Sequence, residues 1–248
     1  MTIGPRHARF DTTHWSLVLA AGGDESSQAR QALAALCETY WYPLYAYVRR
    51  QNHDADDARD LTQAFFARLI EKQDVQDARR ERGRFRSFLL AAMKHFLLNQ
   101  AQYERALKRG GGQTLLSLDV ETAEGRYLRE PPDTSTPEAL FEKQWALTVL
   151  GRALARVRCD AADAGKTAEF DALKACLTGD IPRGSYRTVG EPLGLSENAV
   201  KVAVHRLRRR FQRALRAQIS ETVLTDAEVE EEMRYLFRAL TTRNQAMG

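Results

Sequence analysis

Apolar residues recur every three or four positions through most of the chain, which is the spacing that buries one side of an α-helix. The clearest run extends from Glu197 to Ile219, where the repeat is carried by Val200, Val204, Leu207, Phe211 and Leu215. The same spacing marks residues 24–50, 54–72, 85–107, 138–159, 168–177 and 225–240. The pattern therefore predicts an all-α protein.

Breaks in the pattern predict two small helical domains joined by a flexible linker. Residues 1–24 form an N-terminal arm with a short helix, and residues 25–109 form the first domain, which is followed by three glycines. The linker, residues 110–137, contains Pro131 and Pro132. The second domain covers residues 138–219. Residues 220–248 form an extension with six acidic residues against three arginines, which is either a packed end or a regulatory flap.

A tight turn precedes the helix that starts at Glu197. Gly194 can adopt the left-handed conformation that ends a helix, and Ser196 is a good N-cap. Pro192 fits only in the first turn of a short helix that begins near Gly190. A short helix, a turn and a long helix in this order predict that the second domain is a helix-turn-helix domain.

Positive charge is concentrated on this helix-turn-helix. Residues 183–216 contain nine Lys and Arg against two Glu, a net charge of +7, while the whole chain has a formal charge of +4. Such a charge attracts phosphate, and the second helix of a helix-turn-helix enters the DNA major groove. The pattern predicts DNA binding, with base contacts from the start of the helix and phosphate contacts from Arg208, Arg209 and Arg213.

Composition argues against several other classes of protein. No apolar run approaches the length of a membrane-spanning helix, and the basic N-terminus lacks the apolar core of a signal peptide, so we expect a cytoplasmic protein. The three cysteines are widely spaced with no Cys-x-x-Cys, and the five histidines form no pair at i and i+4. We expect no metal, no cofactor and no catalytic residues.

The first domain carries two surface patterns that its own core does not require. In the helix at 54–72, a second stripe beside the core stripe is either a protein interface or is covered by a neighbouring helix; it consists of Arg59, Gln63, Phe66 and Ile70. On the helix at 85–107, basic residues alternate with aromatic and amide side chains, a combination suited to unpaired bases.

Three segments together resemble bacterial RNA polymerase sigma factors of the extracytoplasmic-function (ECF) type, in the sigma-70 family. The sequence DARDLTQAFF at 57–66 resembles their polymerase-binding segment. FRSFL at 85–89, with Lys94, His95 and Asn99, resembles the helix that opens and reads the −10 element. Residues 189–210 resemble the helix-turn-helix that reads the −35 element. The resemblance implies an alternative sigma factor that binds core RNA polymerase and directs promoter recognition and transcription initiation.

The resemblance assigns candidate residues to three surfaces. The residues expected to contact core polymerase, at the clamp of its largest subunit, are Asp56, Arg59, Asp60, Gln63, Phe66 and Ile70. Those expected to contact the −10 element are Arg84, Arg86, Lys94, His95, Asn99, Tyr103 and Arg105. Those expected to contact the −35 element are Ser196, Asn198, Lys201, Val202, His205, Arg206 and Arg209.

Departures from the family pattern suggest conditional polymerase binding. Arg59 and Ala64 stand where the family has glutamates, which weakens complementarity to a basic partner. Thr62 lies between the two stripes of its helix, and a phosphate there would add about −1.5 to −2 charges. Our hypothesis is that a Ser/Thr kinase switches the factor at Thr62. The alternatives are control by an anti-sigma factor and a Thr62 with no regulatory role.

Two other functions remain open on the sequence. A helix-turn-helix repressor with an N-terminal ligand or dimerisation domain would bind duplex operator without polymerase, but it gives no role to the helix at 85–107. A metal-dependent hydrolase would use Asp54, Asp56, Asp57 and Asp60. The hydrolase is disfavoured because no histidine or glutamate stands at a useful spacing from these aspartates.

Overall fold

The computed structural model describes His14 and residues 27–72, 84–107, 120–129, 136–177 and 185–241. Every regular element within these ranges is helical, which confirms the all-α prediction. The helices are α1 (Ser27–Arg49), α2 (Ala55–Lys72), α3 (Phe85–Leu107), α4 (Val120–Arg129), α5 (Pro137–Asp163), α6 (Thr167–Leu173), α7 (Ser185–Gly190), α8 (Glu197–Ser220) and α9 (Asp226–Thr241). Short 3-10 segments, Lys174–Leu177 and Glu191–Leu193, follow α6 and α7. None of the helices in these ranges is long and apolar enough to span a membrane.

Polar side chains placed just before the helices fix where the helices begin. Asp54 and Thr136 each accept a hydrogen bond from the backbone N–H three residues later, at 2.8 and 3.2 Å, ahead of α2 and α5. Ahead of α9, Thr225 and Glu228 form a reciprocal pair: each accepts the other's backbone N–H, at 3.3 and 3.0 Å. These caps satisfy N–H groups that the first helical turn leaves unpaired.

The chain divides into two compact units, one formed by residues 1–148 with 219–248 and the other by residues 149–218. The sequence instead predicts boundaries at the linker, residues 110–137, and after residue 219. The difference arises because the first half of α5 contributes Phe141 and Trp145, both fully buried, to the core of the first unit. The extension after residue 219 belongs to that unit as well.

In the first unit, aromatic residues of α1 pack against the start of α3. The rings of Tyr40 and Phe85 meet edge to face with their centroids 5.1 Å apart, and both side chains are fully buried. Leu89 and Met93 continue the buried side of α3. The edge-to-face contact fixes the start of α3 against α1, and α3 begins at Phe85, the position that the sequence predicts.

Helix α4 lies inside the predicted flexible linker and packs on α1. The Glu124 carboxylate accepts hydrogen bonds from Arg49 at 2.8 and 3.1 Å and another from the Tyr45 hydroxyl. The Arg126 guanidinium lies 3.8 Å from the centre of the Tyr42 ring. This part of the predicted linker is therefore ordered by contacts with α1, whereas residues 110–119 and 130–135 lie outside the described residues.

The C-terminal extension forms α9, which is a packed end of the first unit. Its apolar side buries Val229, Met233 and Leu236, and the carboxylate-bearing Glu232 is only 1% exposed. The other terminus is described only at His14, whose N–H donates to the Glu221 carboxylate at 2.9 Å. The rest of the predicted N-terminal arm and short helix, residues 1–24, lies outside the described residues.

The second unit has a core of its own. It is built from the second half of α5, from α6 with the 3-10 segment that follows it, and from the apolar stripe of α8 that the sequence predicts. The buried members are Val157, Ala161, Phe170, Leu173, Cys176, Val200, Val204 and Leu207.

Candidate nucleic-acid and polymerase interfaces

The turn before α8 depends on two glycines. Gly194 has φ +64°, the left-handed conformation predicted for it. Gly190 ends α7, and a Cβ at this position would lie 2.5 Å from the carbonyl oxygen of Leu195, so only glycine lets the two backbone segments approach this closely. Pro192 lies in the first turn of the 3-10 segment Glu191–Leu193, as its missing N–H requires.

The start of α8 presents a polar, solvent-facing side opposite its buried stripe. Ser196 caps the helix, accepting the Ala199 N–H at 3.3 Å. Lys201 pairs with Glu197 at 2.6 Å, and Val202 is an apolar side chain with 49% exposure. Each of the seven residues predicted to contact the −35 element is exposed: Ser196, Asn198, Lys201, Val202, His205, Arg206 and Arg209.

Arg208 has a structural contact that the sequence did not reveal. Its guanidinium donates two hydrogen bonds to the backbone carbonyl of Cys176, at 3.2 and 2.9 Å. This carbonyl lies near the end of the 3-10 segment Lys174–Leu177, where helical partners run out. Arg208 therefore ties α8 to the 3-10 segment Lys174–Leu177, in addition to any phosphate contact. Arg208, Arg209 and Arg213 are all exposed.

The predicted −10 residues of α3 separate into a buried group and an exposed group. Arg86 is only 3% exposed, so its assignment to DNA contact is wrong for this conformation. Its guanidinium binds the Glu232 carboxylate at 3.2 and 3.3 Å and also pairs with Glu142. The rings of Trp145 and Tyr235 lie 4.7 and 4.1 Å from its central carbon. Arg86 is thus a core residue held by α5 and α9.

Burial alone would lower the pKa of the Arg86 guanidinium, but Glu232 and Glu142 outweigh burial and raise that pKa above its usual value. Burial also raises the pKa of the Glu142 carboxyl, and Arg86 offsets this only in part. The physical cause in both cases is a charge removed from water and compensated by a fixed partner.

Arg84 and Lys94 lie nearer the surface, and both are paired. Arg84 pairs with Glu231 and, at 2.9 Å, with Glu232. Lys94 pairs with Glu138 at 2.8 Å. Hydrogen bonding between these last two raises the pKa of the lysine and lowers the pKa of the glutamate.

His95 and Asn99 are exposed along α3. Between them Leu98 is 63% exposed, an apolar side chain beside polar neighbours. Leu98 is not among the residues that the sequence predicts at this surface, although its position off the apolar stripe is a signal for it. The side chains of Tyr103 and Arg105 lie outside the described residues.

The predicted polymerase-binding stripe on α2 is exposed only at its beginning. Asp56 and Asp60 are exposed and flank Arg59, whose guanidinium they contact at 3.0 and 2.9 Å. Gln63 and Phe66 are 9% and 5% exposed, so of the two alternatives for this stripe the structure favours cover by neighbouring helices at these positions. The Phe66 ring packs edge to face on Phe65, with centroids 5.4 Å apart, inside the core. The Ile70 side chain lies outside the described residues.

Thr62 is a core residue and does not lie at a surface boundary. It has no exposed area, and its hydroxyl donates to the Ala58 carbonyl at 2.7 Å, one helical turn back. A phosphate would have to displace packed side chains, and its charge would be buried. The phosphorylation hypothesis consequently requires α2 to open locally before a kinase can reach this hydroxyl.

These features are those of a class of all-α proteins in which an exposed basic helix follows a tight turn. In the same described ranges, no group of three or more His, Cys, Asp or Glu side chains is placed to hold a metal ion. The family described as ECF sigma factor matches residues 30–217, which is more than half of the chain. The chain belongs to the ECF sigma factor family. Membership implies a role in promoter recognition, with core RNA polymerase and promoter DNA as partners. Comparisons with curated proteins and with solved structures gave no match.

Proposed function

We propose that this protein is an alternative sigma factor that binds core RNA polymerase in the cytoplasm and carries it to a set of promoters. In this proposal the exposed side of α8 reads the −35 element in the major groove. The exposed part of α3, with His95, Leu98 and Asn99, meets the opened −10 element. The start of α2, with Asp56, Arg59 and Asp60, faces the polymerase.

The observation that carries the proposal is the exposed side of α8. Seven residues predicted from the sequence to meet DNA are all solvent-facing, while the stripe on the other side, Val200, Val204 and Leu207, is buried. Lysine, arginine, histidine and asparagine at the first turns can donate to base edges and phosphates. The core of the second unit therefore holds this side of α8 available to a duplex.

The start of α2 supports a polymerase contact of modest strength. Asp56, Asp57, Arg59 and Asp60 together carry three negative charges and one positive charge, and Arg59 is neutralised within its own helix by two aspartates. The arginine therefore does not present an unpaired positive charge to a basic partner. Complementarity is reduced relative to the family pattern but is retained.

Switching by phosphorylation at Thr62 is part of the proposal only as an event in a locally opened α2. Because the Thr62 hydroxyl is buried, a kinase could modify it only after α2 opens, for example while the protein exchanges one partner for another. Control by an anti-sigma factor requires no such opening and is the competing form of regulation.

Transcription in vitro with purified core polymerase and a library of genomic fragments tests the function. The full chain is expected to direct transcripts from a limited set of start sites. Arg206→Ala should reduce these transcripts about 5-fold or more, since a base or phosphate contact contributes roughly 1–3 kcal/mol.

Arg158→Ala is the matched control, because it removes one exposed positive charge from the same unit but lies on α5. It should leave the transcripts unchanged. Equal effects of the two variants, or no association with core polymerase, would overturn the proposal. Tight binding to duplex DNA that blocks rather than directs transcription would favour a repressor.

A further inference from the structure

The basic residues near the start of α3 face carboxylates supplied by distant parts of the chain. Arg84 pairs with Glu231 of α9, and Lys94 pairs with Glu138 at the start of α5. Each carboxylate accepts hydrogen bonds from the charged group of a residue predicted to contact DNA. A phosphate of a nucleic-acid backbone would bind the same group.

Helix α9 is held in place from within the core. Glu232 is buried against Arg86, and Val229, Met233 and Leu236 pack below it. Withdrawing α9 would leave the buried Arg86 guanidinium, among the described residues, with only Glu142 as a charge partner, and losing one partner of a buried charge is costly. Glu231 directly precedes the buried Glu232 on α9 and is therefore kept beside Arg84.

The outer pairs differ from this anchor because they are open to solvent, although Arg84 also contacts the buried Glu232 at 2.9 Å. The side chains of Arg84 and Glu231 are 26% and 51% exposed, and those of Lys94 and Glu138 are 42% and 43% exposed. Ion pairs of this kind contribute little and exchange readily with other partners. A phosphate can displace Glu231 or Glu138 without moving α9 or α5.

We propose that Glu231 and Glu138 are internal competitors for nucleic-acid phosphate at Arg84 and Lys94, so that the free protein binds single-stranded DNA weakly along α3. This inference rests on the proposed function, since it concerns the surface assigned to the −10 strand. The partner is a single-stranded DNA backbone, whose phosphates would be positioned by Arg84, just before α3, and by Lys94 on α3. The acidic extension then lowers the affinity of α3 for promoter DNA by a constant amount.

Site-specific photocrosslinking of the full-length protein tests whether these carboxylates compete with DNA. A benzoylphenylalanine replaces Ala101, an exposed residue seven positions after Lys94 on the same side of α3. The probe is a fluorescent single-stranded DNA oligonucleotide of mixed sequence. Crosslinking at this position reports DNA in contact with α3.

The double variant Glu231→Gln/Glu138→Gln is expected to lower the DNA concentration for half-maximal crosslinking about 3- to 10-fold relative to wild type. Its affinity should also fall more steeply with salt, by about one to two units of log–log slope, because two cations gain phosphate contacts. Glutamine keeps the size and polarity of each side chain, and both sites are partly exposed, so folding is expected to be preserved.

The control is Asp160→Asn/Asp171→Asn, which removes two negative charges from carboxylates paired within α5 and near the end of α6. Equal crosslinking by the two double variants would overturn the inference, since only total charge would then matter. Transcription with core polymerase is measured in parallel on wild-type protein. If wild-type protein directs transcripts but the glutamine variant crosslinks no better than wild type, the proposed competition is wrong and the sigma function stands. If wild-type protein directs no transcripts, the sigma function is wrong, whatever the crosslinking shows.

Discussion

Arg86 is the residue whose removal should most disturb the first unit. It is 3% exposed, and Glu232 is 1% exposed, so neither charge can be rehydrated if the other is lost. Breaking such a pair typically costs about 3–5 kcal/mol, because a buried charge loses its main partner. Within the described part of the chain, Arg86 then keeps only Glu142, and Glu232 keeps only Arg84. We therefore expect Arg86→Met and Glu232→Leu each to lower the free energy of unfolding by this amount. For a unit of this size the midpoint temperature should fall by roughly 6–20 °C.

The double variant Arg86→Met/Glu232→Leu distinguishes the attraction between the two charges from the cost of burying one of them alone. The double variant replaces both charges by apolar side chains and leaves Glu142 without Arg86, but burial already raises the pKa of this carboxyl, which favours its neutral form. The loss should therefore shrink to about 0–2 kcal/mol, well below the sum of the single losses. Lys94→Met is the surface control, because its pair with Glu138 is more than 40% exposed on both sides and should contribute less than about 1 kcal/mol.

Urea unfolding followed by circular dichroism and by tryptophan fluorescence measures these losses. Trp145 lies 4.7 Å from the Arg86 guanidinium carbon, so its emission reports on this part of the core. Single variants that lose less than about 1 kcal/mol, or a double variant whose loss equals the sum of the two, would refute the assignment of Arg86 to a desolvated network.

Gly190→Ala is expected to destabilise the second unit by about 1–3 kcal/mol, because its Cβ would lie 2.5 Å from a carbonyl oxygen, while Gly151→Ala, with nothing within 4 Å, should stabilise it by up to about 1 kcal/mol. Equal shifts in urea unfolding would contradict this. Thr62→Glu should cost about 3 kcal/mol or more, whereas Ala64→Glu, exposed on the same helix, should change stability by less than about 0.5 kcal/mol. A fully stable Thr62→Glu protein in thermal melts would argue against a buried Thr62. Hydrogen bonds from an arginine hold the pKa of Glu124 below its ordinary 4.5, so its stabilising contribution is present above that pH and is lost as the pH falls through the lowered value. Glu124→Gln should reduce the loss of unfolding free energy as the pH falls. An unchanged loss would argue against the contact between Glu124 and the arginine.

Local sequence signals were sufficient for the helices themselves. Asp54, Thr136, Ser196 and Thr225 cap the helices that the sequence predicts after them, and Gly194 adopts the predicted left-handed turn. These features depend on neighbours within four positions, so the sequence contains them in full. The exposed side of α8 followed from the same periodicity, since burying Val200, Val204 and Leu207 leaves the opposite positions to solvent.

Long-range partners could not be read in this way. Phe66 and Thr62 were assigned to an interface and a boundary because periodicity tells which residues share a face but not whether another helix covers that face. Arg86 looks like any other basic residue of α3 until Glu232, 146 positions away in the sequence, is found beside it. The extension could equally have been a flap.

The sequence by itself determined where the helices lie, how they begin and which side of α8 is basic, because these properties come from hydrogen bonds and spacing within a few residues. Only the tertiary structure decided that α4 is ordered on α1, that α9 completes the first unit and that Arg86 is a core charge. Each of those outcomes depends on desolvation by elements far apart in the chain, and desolvation is set by packing in three dimensions.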